Sequence, residues 1–101
     1  MTQLVWTAPT TYYSAGDERA FFAWLQSIPG VVKVEGRGRE LCVHLRSKRL
    51  SAAALRELLA LYSRYQGNMR ELAQFEQSSN ASWFRNPKAY WYEGVFGGRD
   101  G

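Results

Sequence analysis

The sequence predicts an α+β domain of ferredoxin-like topology: the split βαβ arrangement, with two helices on one face of an antiparallel sheet. Three observations lead there. Stretches of alternating polarity and of helical periodicity follow one another in the order strand, helix, strand, strand, helix, strand. Pro29-Gly30, Gly36-Arg37-Gly38 and Gly67-Asn68 fall at the breaks, where chain reversal needs them. With 101 residues, 46% of them hydrophobic and 22% charged, the chain can build one core and has the composition of a folded protein. Residues 1–96 are read as a single domain and 97–101 as a disordered tail. A final aromatic helix follows the sixth element and has no counterpart in the split βαβ plan.

Gln3–Thr7 is read as the first strand, with Leu4 and Trp6 on one side and Val5 on the other; Thr10–Tyr13, beyond Pro9, is the alternative position. Ser14 offers a helix cap, with Asp17 in the acidic capping-box position and Glu18 beside it at the positive helix end. Phe21, Trp24, Leu25 and Ile28 then recur at helical spacing. Val31–Glu35 and Glu40–Arg46 alternate as two strands of a hairpin, placing Leu41, Val43 and Leu45 on one face and Glu40, Cys42, His44 and Arg46 on the other. Ser51 caps a second helix, Ala52 to Tyr65, whose inward stripe is Leu55, Leu58, Leu59 and Tyr62. Gly67 or Asn68 supplies the left-handed stop. Met69–Phe75 is read as the fourth strand, although Arg70-Glu71-Leu72-Ala73 tolerates helix as well. Asn86-Pro87 suits the cap and first position of a last helix running to Phe96.

The net charge of +4 is localised. Six basic residues, Lys33, Arg37, Arg39, Arg46, Lys48 and Arg49, meet only Glu35 and Glu40 within their segment; the other seven basic residues are balanced by the other seven acids. The lone Cys42 excludes an internal disulfide, the longest apolar run is too short to span a bilayer, and the first residues lack a signal-peptide pattern. These points read as a cytoplasmic chain with no membrane role.

Catalytic signatures are sparse, so no enzyme activity, cofactor or metal is expected. Cys42 and His44 share a strand face, which allows a thiolate–imidazole or metal-site alternative, but the chain holds no other Cys or His to complete it. Gly36-Arg37-Gly38 precedes a strand where a phosphate loop needs a helix. The principal reading is a small macromolecule-binding or regulatory module. Its partner is a protein, an acidic one by charge, or a second copy in a dimer. Candidate binding residues are Arg37, Arg39, Arg46, Lys48 and Arg49, joined by Trp83, Arg85, Trp91 and Tyr92 of the aromatic segment, residue types that dominate protein interfaces. Nucleic-acid binding through the Arg-rich hairpin is the alternative, against which stand Glu40, Cys42 and His44 at positions where ring stacking would require Phe or Tyr. The two basic clusters are also expected about 20 Å apart, at ~3.3 Å per strand residue.

Overall fold

The alternation of the first strand decides where the core lies. The computed structural model describes residues 2–8 and 10–97. In it β1 (Thr2–Trp6) buries Leu4 and Trp6 and leaves Val5 exposed. The alternative position, Thr10–Tyr13, has no regular structure, and Pro9 and Gly98–Gly101, most of the expected tail, lie outside the described residues. β2 (Val31–Arg37) and β3 (Glu40–Leu45) form the hairpin, with Gly38 in its turn at a φ of 62° that favours glycine. β1 and β2 both pair antiparallel with β3, giving the order β1-β3-β2. Leu4 and Val34 flank Val43, while Trp6 and Gly36 flank Leu41, so one sheet face carries the apolar set.

α1 (Ala15–Ser27) begins as its sequence asks: the Ser14 hydroxyl accepts from the Asp17 amide at 3.1 Å. Phe21 and Leu25 are buried, and the half-buried Trp24 donates its indole N–H to Glu57 at 2.6 Å, tying α1 to α2 (Ala52–Arg64). Ser51 caps α2 through the Ala54 amide at 3.1 Å. The expected stripe Leu55, Leu58, Leu59 and Tyr62 is buried and is widened by Ala54 and Leu61, so α2 is covered over a broad arc.

α2 ends one residue earlier than its glycine suggests. The Gly67 amide donates to the Tyr62 carbonyl at 2.8 Å, which places Gln66, at a φ of 60°, in the left-handed position. Gly67 meets a different demand. A Cβ there would stand 2.6 Å from the Tyr62 ring and 2.8 Å from the Trp6 ring, so only glycine lets the chain pass over this stacked pair.

The expected fourth strand is absent from the described residues, and Met69–Phe75 is a 3-10 helix instead. Asn68 caps it by accepting from the Arg70 amide at 3.2 Å, and a period of three aligns Met69, Leu72 and Phe75, burying the last two. Strand alternation would have set Leu72 opposite Phe75. Buried Asn80 fixes the following turn, accepting from the Gln77 amide at 2.8 Å and donating to the Phe75 carbonyl at 2.9 Å.

The expected single helix from Pro87 to Phe96 is also replaced. Two one-turn helices, α3 (Ala81–Phe84) and α4 (Tyr92–Val95), flank a run of turns. Asn86 does cap, accepting from the Lys88 amide at 2.9 Å, but it closes a turn and not a helix. The chain then doubles back and buries Phe84, Trp91 and Val95 together. α4 packs on the 3-10 helix, where Gly94 approaches Met69 so closely that a Cβ would stand 3.0 Å from it.

Candidate functional site

Among the described residues, no helix lies over the second sheet face. Cross-strand pairing sets Gln3, Val5, Lys33, Glu35, Arg37, Glu40, Cys42 and His44 there. Val5 is 38% exposed, and Gln3, Lys33, Arg37 and Glu40 are exposed as well. Cys42 is buried at the centre of this face by its neighbours, and the His44 side chain keeps only 12% of its exposure.

Glu35 is the electrostatic hub of the face. Its carboxylate meets His44 Nε2 at 2.6 Å, Lys33 Nζ at 3.5 Å and Arg37 Nη2 at 3.7 Å. The hydrogen bond from His44, then the charge of Lys33, hold the Glu35 carboxyl below its ordinary range. The imidazole is thus engaged by a carboxylate across the sheet. Among the described residues no three His, Cys, Asp or Glu side chains are grouped to hold a metal ion.

The basic residues divide between the two ends of the sheet. Arg37 and Arg39 sit at the hairpin turn, the end shared with Trp6; Arg46, Lys48 and Arg49 follow β3 at the end shared with Thr2. Arg37 shares Glu35, whereas Arg39, Arg46, Lys48 and Arg49 form no ion pair among the described residues. Arg46 and Arg49 border a cleft of about 200 Å³ with Gly30, Ser47, Leu50 and Ser51. Another cleft, of about 250 Å³, lies between Tyr13 and Arg64, where Asp17 accepts from the Tyr65 hydroxyl at 3.0 Å and the Tyr13 amide at 2.9 Å.

The aromatic segment is largely spent on the interior. Trp91 keeps 9% of its surface and donates its indole N–H to the Phe84 carbonyl at 2.6 Å. Half-buried Trp83 meets the edge of Trp91 and carries the Arg56 guanidinium 4.3 Å above its ring. Arg85 makes two hydrogen bonds to Glu76, at 2.6 and 2.7 Å, and lies 4.2 Å over Phe96; Tyr92 is half-buried beside that ring. The ring most exposed in this segment is Tyr90, at 63%.

The proposed binding residues therefore do not converge into one patch. Three outer-face residues escaped the sequence reading as candidates: Val5, Lys33 and Glu35. The alternation that assigns Leu4, Trp6 and Val34 inward carries the signal for them. Tyr90 left no such signal, because its exposure depends on the turn that replaces the expected helix. Comparison with protein-family models, with curated proteins and with solved structures finds no match.

Proposed function

We propose that the protein is a small binding module, without catalysis of its own, that engages an acidic protein partner through the outer face of its sheet. The observation that carries this reading is the uncovered face itself, where exposed Val5 lies on the same surface as Lys33 and Arg37. Apolar contact supplies burial there, and the cations select and steer a negatively charged partner. Arg39, Arg46, Lys48 and Arg49 extend the positive rim beyond both ends of the strands. Tyr90, 63% exposed, lies outside this face.

Nucleic acid fits the same face less well. Phosphates would find cations, yet no Phe, Tyr or Trp is among the outer-face residues for a base to stack on, and the one ring there, His44, is held by Glu35. We read the architecture as ferredoxin-like, a split βαβ with the 3-10 helix in place of the fourth strand; the strand order β1-β3-β2 supports this. A cytoplasmic setting suits the single buried cysteine.

The test is affinity capture from the lysate of the source organism, with and without nuclease. The wild-type chain is expected to retain a nuclease-resistant protein that the Lys33→Glu, Arg37→Glu chain loses. Equal capture by both chains, or loss of the captured material on nuclease treatment, would refute the reading.

A further inference from the structure

We infer that the cleft between the start of α1 and the end of α2 binds a neutral saccharide, with a sugar ring laid against Tyr13. The cleft measures about 250 Å³, room for a single such ring, and is lined by Thr11, Tyr13, Asp17, Arg64, Tyr65 and Gln66. None of these residues belongs to the sheet, so the site is separate from the outer face.

Gln66 sets this place apart. It is the one non-glycine residue at positive φ among the described residues, in a conformation where glycine or asparagine is usual. The rings of Trp6 and Tyr62 require glycine at 67, which puts the left-handed residue at 66 but does not call for glutamine there. Glycine at 66 would make the same turn with less strain. It would lack the side-chain amide, donor and acceptor together, that glutamine brings to the wall of the cleft. A strained residue whose side chain lines a cleft points to a ligand that uses it.

The other walls define the ligand's chemistry. Asp17 stands in the first turn of α1 and Arg64 in the last turn of α2. Each charge answers the opposite partial charge of its own helix end, and the two together leave the cleft neutral. A charged ligand gains little there, whereas hydroxyl groups find partners on every side. The Tyr65 hydroxyl at 3.0 Å and the Tyr13 amide at 2.9 Å fix the Asp17 carboxylate, and each of its oxygens can accept one bond more. Arg64 has no acidic partner among the described residues and offers only donors. Thr11 and Gln66 both donate and accept. Neighbouring hydroxyls of a sugar do the same, which is what this mixed set asks for. The Tyr13 ring, 90% exposed, adds an apolar platform whose negative face suits the C–H groups on the flat side of a sugar.

Titration of the full chain with the methyl glycosides of glucose, galactose, mannose and N-acetylglucosamine, followed by amide NMR, tests this. At least one is expected to shift the amides of Tyr13, Asp17 and Gln66 saturably, with an affinity that added salt leaves unchanged. Tyr13→Ala keeps the amide that holds Asp17 and is expected to bind about tenfold more weakly. Gln66→Gly is expected to unfold at higher urea than the wild type and yet to bind about tenfold more weakly, a combination that a merely structural residue does not give. Four results would each overturn the inference: no shift with any glycoside, free glycine shifting the same amides in their place, undiminished binding by either variant, or a Gln66→Gly chain less stable than the wild type.

Discussion

Replacing Trp91 by alanine removes a ring that is 9% exposed and holds the Phe84 carbonyl. Aromatic side chains take about 150–250 Å² each out of water, worth ~4–6 kcal/mol at about 25 cal/mol per Å². Measured losses for buried tryptophan, about 3–5 kcal/mol, bracket the lower part of that range. The orphaned carbonyl adds ~1 kcal/mol or more. A loss of about 4 kcal/mol is therefore expected, a large share of the ~5–15 kcal/mol that holds a typical domain together. For a chain of this size it lowers Tm by roughly 15 °C or more. Trp91→Phe keeps most of the ring and loses the donor, so it is expected to cost about 1–3 kcal/mol. Urea and thermal unfolding followed by far-ultraviolet circular dichroism read both. A fall in Tm of less than about 4 °C for the alanine variant, under ~1 kcal/mol, would show that the ring is not part of the interior.

Three further outcomes are expected. Gly67→Ala forces a methyl group to 2.6 Å from Tyr62 and is expected to cost about 1–3 kcal/mol in urea unfolding; an unchanged midpoint would mean that the stacked rings can move aside. Gln66→Gly relaxes a left-handed residue and is expected to gain about 0.5–1 kcal/mol by the same measurement, a loss being the contrary result. The Glu35 carboxyl, followed by carbon-13 NMR, is expected to titrate below an ordinary glutamate, and His44→Ala to raise its midpoint most. Because its folded-state value is depressed, Glu35 contributes stability above the ordinary carboxylate range and loses it as pH falls through the depressed value. Glu35→Gln is expected to remove that acid-side dependence, and an unaltered profile would contradict the assignment.

The body of the fold was legible wherever one physical demand ruled a residue. Ser14 and Ser51 had only helix amides to satisfy, and both cap as expected. Leu4, Trp6 and Val43 lie where strand alternation puts them. Legibility failed where two demands competed for one position. Gly67 suits a left-handed cap, but the rings of Trp6 and Tyr62 claim it for its missing side chain, and Gln66 takes the cap. Met69, Leu72 and Phe75 fit a period of three, a signal too brief to outweigh strand alternation in the sequence. Asn86-Pro87 opens a turn as readily as a helix, and the burial of Phe84 with Trp91 decides between them. The site was legible in its charges and not in its assembly. Sequence located every cation, but only the strand register brings His44 to the Glu35 carboxylate that Lys33 and Arg37 also meet.

The aromatic cover also has a consequence for how the chain is born. α3 and α4 are four residues each, too short to persist alone, and they take shape only against the 3-10 helix and α2. The rings that seal the interior, Phe84 and Trp91, are thus encoded far downstream of the strands and helices they seal. During synthesis β1, α1, β2, β3 and α2 leave the ribosome while Leu72, Phe75 and the later rings are still inside it or not yet made. The nascent chain therefore carries an unsealed apolar surface for the length of that delay. Chaperone protection is needed most in that interval, and a pause in translation after α2 has emerged, with Leu72 and Phe75 still enclosed, would prolong it.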